Sequence, residues 1–159
     1  MSLLSIKILP ILLLIIISNC TKSDLVIRSN PQLDIMNFDV VEKKLFLIDG
    51  LSENVTNLLQ TWFNDKVKVN GYEGIITFNI TNYTETITQI DNGKRIDISL
   101  SFNALIEKPS LTQKKIIKGS VNTYGSITGN YSLRDFDGII YNTQTDLILR
   151  LSRDLKSKI

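Results

Sequence analysis

The residue types that most often carry chemistry are scarce in this chain. Among 159 residues there is no histidine and one cysteine, Cys20. A Ser-His-Asp triad, a Cys-His pair and a His-bearing zinc site therefore cannot be built within it, and nor can a histidine pH switch. A lone cysteine closes no internal disulfide. The nearest thing to paired catalytic carboxylates is Asp135 with Asp137. Two residues apart on a helix, they do not face each other, and they read better as charges complementing a helix start. Gly119, Gly125 and Gly129 do not follow a strand and open a helix as a phosphate loop does, so nucleotide binding is not expected. No catalytic centre, metal site or cofactor site is expected. The sulfur of Cys20 is the one group with a defensible site-specific chemistry, and its surroundings say which.

Cys20 follows a leader. Lys7 lies in a short basic start, residues 8–17 form an apolar run broken only by Pro10, and Ser18-Asn19 leads into the cysteine. A membrane span needs about 20 apolar residues. This run is shorter and suits the hydrophobic region of an export signal, about 7–15 residues. Ile17-Ser18-Asn19-Cys20 resembles the lipobox of bacterial lipoproteins, with Asn19 where Gly, Ala or Ser is usual. That resemblance implies cleavage between Asn19 and Cys20 and a diacylglycerol thioether on Cys20. Acyl chains contribute about 0.8 kcal/mol per buried CH₂, and two or more hold a protein stably on a membrane. Thr21, rather than Asp, follows the cysteine. By similarity to enterobacterial sorting rules this favours the outer membrane over the inner. Asn-x-Ser/Thr triplets at Asn54, Asn79, Asn82 and Asn130 are read as products of an Asn- and Thr-rich composition in a bacterial chain.

The expected organisation is a signal peptide at 1–19, a lipidated tether at 20–32 and one α+β domain at 33–159. Pro31 marks the domain edge. A first strand is expected over residues 33–41, where Met36, Phe38 and Val40 alternate with polar neighbours. Glu42-Lys43-Lys44 interrupts it, and the apolar run 45–48 has no assigned role. Residues 52–69 carry helical spacing in Val55, Leu58, Leu59, Trp62, Phe63 and Val67, with Ser52 as N-cap and Asn70-Gly71 as the stop. Strands follow at 74–88, with a phase slip near Asn82-Tyr83 that indicates a bulge, at 95–107 and at 115–127. Asn92-Gly93 marks a type I′ hairpin turn between the first two. A terminal helix, 133–158, opens on the capping-box pattern Ser132…Asp135 and carries Phe136, Ile140, Leu147, Leu151, Leu155 and Ile159 as its stripe. The order is β-α-β-β-β-α: a four-stranded, largely antiparallel sheet with two helices packed on one face.

Charge adds little. The balance of 18 basic to 16 acidic residues, net +2, gives no global pull toward nucleic acid. Two local lysine groups, Lys43/Lys44/Lys66/Lys68 and Lys114/Lys115/Lys118, read as solvated faces, with contact to lipid phosphates as the alternative. Trp62-Phe63 reads as helix-to-sheet core rather than as an aromatic contact for a partner.

Two wider resemblances stand beside these residues. Trp62-Phe63-Asn64-Asp65-Lys66-Val67, then Gly71, Gly74 and residues 76–80, with Tyr141-Asn142-Thr143 and Leu147 in the terminal helix, resemble small uncharacterised lipoproteins of alphaproteobacteria. Leader, size, two helices and a sheet are also similar to the lipopolysaccharide-assembly lipoprotein family, although Thr21-Lys22-Ser23 stands where that family usually has a Gly-Phe segment. The function expected is a non-enzymatic, lipid-anchored envelope protein facing the periplasm, in an accessory or partner-binding role. Its partners would be the membrane, through the lipid on Cys20, and an envelope protein. The alternative is a lipid or lipopolysaccharide transport or assembly component of the outer membrane. An open apolar groove between helix and sheet would favour lipid, and a filled core a protein partner.

Overall fold

The computed structural model describes residues 33–110 and 114–159. The leader, Cys20 and the tether lie outside the described residues. Eight elements follow in order: β1 (Met36–Phe38), β2 (Glu42–Phe46), α1 (Glu53–Lys66), β3 (Val67–Val69), β4 (Ile75–Ile90), β5 (Gly93–Glu107), β6 (Lys115–Thr128) and α2 (Leu133–Lys156). The fold is the expected α+β arrangement. A four-stranded sheet has the order β2-β4-β5-β6, with β2 parallel to β4 and the other pairs antiparallel.

The strand that crosses over through α1 is not the one expected. Residues 42–46 enter the main sheet, whereas β1, inside the expected strand 33–41, pairs in parallel with β3 in a separate two-stranded sheet. The charges of Glu42-Lys43-Lys44 suggest an interruption, yet an edge strand accommodates charge when each side chain has an outlet. Glu42 and Lys44 pair with each other in solvent at 3.1 Å. Lys43 turns to the other side and donates to the carbonyls of Phe63 (2.9 Å), Asn64 (3.1 Å) and Val67 (2.6 Å). Those are carbonyls at or just past the end of α1, where the helix leaves acceptors unsatisfied and a cation is favoured. The helix therefore stops at Lys66, before Asn70-Gly71. Gly71 serves a different need: a Cβ there would collide with the backbone of Asp39 and Val40.

The long hairpins follow the alternation of their apolar residues. Ile76, Phe78 and Ile80 of β4, Ile96, Ile98, Leu100, Phe102 and Ala104 of β5, and Ile117 and Val121 of β6 are buried on one face. The register shifts between Ile80 and Asn82, the bulge that the phase slip indicated. The β4–β5 turn differs from a type I′ turn. Ile90 pairs with Gly93, so the loop residues are Asp91 and Asn92, and of the two only Asn92 has a positive φ, 57°. Gly93 is required instead because a Cβ would meet the Ile127 carbonyl oxygen.

Both helices cover the apolar face. Val55, Leu59, Trp62 and Phe63 of α1 and Leu147, Ile148, Leu151 and Leu155 of α2 join the sheet residues in one core. Its centre is aromatic: Phe78 meets Trp62 edge-on at 5.2 Å and stacks on Phe102 at 5.1 Å between centroids. The terminal helix starts as read. Asp135 N–H donates to Ser132 Oγ (3.2 Å) and Ser132 N–H to Asp135 Oδ2 (2.9 Å). Ile159, expected in the stripe, is exposed. No helix among the described residues is long and apolar enough to cross a membrane.

Candidate functional site: the uncovered face of the sheet

Among the described residues, the helices cover one face of the sheet and nothing covers the other, and the strand period decides what that face displays. Beyond the bulge, most residues of β4, β5 and β6 that point away from the core are short and polar, and the registers bring them into rows. Asn82, Ser101 and Ser120 form one row, Thr84, Ser99 and Asn122 the next, then Thr86, Asp97 and Tyr124, then Thr88, Arg95 and Ser126. The rows are knitted by hydroxyl pairs, Thr84 Oγ1 with Ser99 Oγ at 2.7 Å and Ser101 Oγ donating to Ser120 Oγ at 3.1 Å.

Arg95 and Asp97, two apart on β5, share this face. The guanidinium donates to the carboxylate from Nε (2.9 Å to Oδ2) and from its terminal nitrogen (2.6 Å to Oδ1). This pairing raises the Arg95 pKa further above its ordinary value. The same guanidinium lies over the Tyr124 ring, 4.4 Å from its centroid. Tyr124 is 64% exposed. Around this group lies a shallow open depression of about 420 Å³ bordered by Thr84, Thr86, Ser99 and Asn122. Toward the other end of the strands the face also carries exposed apolar residues, Phe46 on β2 and Ile116 on β6.

This surface is suited to binding. It offers many hydrogen-bond donors and acceptors on short side chains, which lose little rotamer freedom when ordered. Two hydroxyl pairs bond each other, and the Asp97 carboxylate is engaged by Arg95.

On the covered side a polar cluster interrupts the core where the N-terminus of α1, β4 and α2 meet. Gln144, 1% exposed, donates from Nε2 to Ser52 Oγ (3.2 Å) and Glu85 Oε2 (3.1 Å). The Tyr83 hydroxyl donates to the same Glu85 oxygen. Burial, then the hydrogen bond to Glu85 and its charge, push the Tyr83 phenol well above the ordinary tyrosine range. The cluster joins three elements.

The residues singled out in the sequence separate. Cys20, with Asn19, is outside the described residues. Asp135 is held in the α2 cap and its carboxyl is lowered by the bonds from Ser132, while Asp137 is exposed. Lys43 and Lys44 point to opposite sides of β2 and do not form one basic patch. Lys114 pairs with Glu107, and Lys115 donates to the Ile159 carbonyl at 3.2 Å. Trp62 and Phe63 are core. The polar rows were visible as alternation, whereas the Arg95–Asp97–Tyr124 group spans two strands and needed the register to be seen.

Neither a described protein family nor a characterised protein matches the sequence. Three solved structures to which the chain is similar are bacterial lipoproteins. One is a minor lipoprotein from Acinetobacter baumannii, 13% identical over 76% of this chain and 92% of that one, with a TM-score of 0.48. Rare lipoprotein B from Shewanella oneidensis is 9% identical over 74% and 95%, with a TM-score of 0.47. An uncharacterized lipoprotein B from Nitrosomonas europaea is 10% identical over 77% and 86%, with a TM-score of 0.45.

Proposed function

We propose that this chain is a non-enzymatic, lipid-anchored protein of the bacterial envelope that faces the periplasm and docks an envelope protein through the uncovered face of its sheet. In this reading the leader 1–19 is removed, Cys20 carries the acyl chains (palmitate among the candidates), residues 20–32 tether the domain, and Thr21 favours the outer membrane. The observation that carries the docking role is the division between the two faces. The space between helices and sheet is filled by Trp62, Phe63, Phe78 and Phe102, leaving recognition to the polar outer face. A filled interior favours a protein partner over the alternative, a component that carries lipid or lipopolysaccharide between helix and sheet.

Co-purification of the full chain from detergent tests the role. Ser99→Arg with Ser120→Arg places two long cations on the face without touching the core. Loss of the partner recovered with the unaltered chain is the expected result. An unchanged set of partners with this variant would remove the docking face from the proposal. For the anchor, Cys20→Ser should abolish incorporation of labelled palmitate, and persistent labelling would overturn it.

A further inference from the structure

The two edges of the main sheet are treated differently. β6 is guarded. Lys115 and Lys118 lie on it, and Lys158 donates to the Lys118 carbonyl at 3.1 Å. Lysines on an edge strand are a common defence against pairing with another chain. The other edge is guarded along half its length only. β2 pairs with β4 from Ile75 to Asn79. Beyond the bulge, residues 82–90 have β5 on one side and, among the described residues, no strand on the other. This half reads Asn-Tyr-Thr-Glu-Thr-Ile-Thr-Gln-Ile, without lysine, arginine or proline. Thr84, Thr86 and Thr88 are exposed, and Ile87 is 50% exposed.

We propose that residues 82–90 form a self-association edge on which the same strand of a second copy of this chain pairs antiparallel. The segment is complementary to itself. With a two-fold axis at Ile87, Ile87 faces its own copy, Thr86 faces Thr88, Glu85 faces Gln89 and Thr84 faces Ile90. Glu85, the one charge, meets an amide, so no like charges oppose each other. Cross-strand Thr–Thr and apolar β-branched pairs of this kind each contribute about 0.2–1 kcal/mol. Ile87 lies on the helix-covered side, paired with the buried Ile96, so two copies extend that apolar row across the junction. A two-fold contact is closed. It consumes the unguarded half of β4 in both copies, and the edges that remain, β6 and β2, each carry lysines, so the assembly stops at two.

Directly opposed strand residues have Cβ atoms about 4.5–5.5 Å apart, near the span of a disulfide. Ile87→Cys in the full chain, oxidised mildly in detergent, should therefore double in mass on a non-reducing gel. Lys118→Cys on β6 should stay at the single mass. The unaltered chain, which also carries Cys20, sets the baseline. Ile87→Lys should halve the protein mass of the detergent-solubilised chain while its far-UV spectrum is kept. Thr88→Lys, at an exposed position, serves the same purpose if Ile87→Lys unfolds. Absence of the Ile87→Cys dimer, equal cross-linking at Lys118→Cys, or linkage of Ile87→Cys to a different protein would each overturn the proposal.

Discussion

Phe78 and Phe46 sit on neighbouring strands of the same sheet, on opposite faces, and replacing each by alanine should have very different costs. Phe78 is fully buried, packed edge-on to Trp62 and stacked on Phe102. Removing a buried phenylalanine costs about 3–5 kcal/mol through lost transfer energy and the cavity left behind, and two aromatic pairs place this site at the upper end. Phe46 is 54% exposed on the uncovered face, where substitutions usually stay within about 0.5 kcal/mol. Against a total stability of about 5–15 kcal/mol, Phe78→Ala takes a large fraction. With a urea slope of about 2 kcal/mol/M, its unfolding midpoint should fall by roughly 2 M, and that of Phe46→Ala should hardly move. Urea titration followed by far-UV circular dichroism reads both. Equal costs for the two variants, or a Phe78→Ala cost under about 1 kcal/mol, would refute the division into a packed face and a bare one.

Lys43→Ala should destabilise the chain by about 1–3 kcal/mol, since a cation bonded to the Phe63, Asn64 and Val67 carbonyls is lost. Lys44→Ala, on the solvent side, should cost under about 0.5 kcal/mol by the same titration. Ser132→Ala removes the α2 cap and should cost about 1 kcal/mol, visible as a lower thermal midpoint. The Asp135 carboxyl is lowered by Ser132. The stability it contributes is therefore present above the unfolded carboxylate range and is lost as pH falls through the lower folded value, and Asp135→Asn should flatten the acid limb of the pH–stability curve. The Tyr83 phenol is raised, so the folded state keeps its proton when the unfolded chain, near pH 10, has given it up. Stability should fall as pH rises above that point, and ultraviolet titration should show one late-ionising tyrosine that disappears in Tyr83→Phe.

The sheet's long strands were legible because their apolar residues alternate without a break from Ile96 to Ala104, and the capping box because its two partners are local. The bulge was legible as a lost phase at Asn82. Long-range partners were not. Glu42-Lys43-Lys44 has the composition of a loop, and only the carbonyls of α1, some twenty residues on, explain why Lys43 lies in a strand. Gln144 sits at a helix position whose polarity predicts solvent, and its burial follows from Ser52 and Glu85 reaching it from two other elements. The uncovered polar face was half legible. The alternation of Asp97, Ser99 and Ser101 marked a wet side of β5, but the stacking of Arg95 on Tyr124 depends on how β5 and β6 register.

The anchor at Cys20 is the claim on which the proposed location and role depend. The mass of the N-terminal peptide of the purified full-length gene product tests it most directly. The expected peptide begins at Cys20 and bears a diacylglycerol thioether. A peptide that begins elsewhere, or one that carries a free thiol at Cys20, would contradict it.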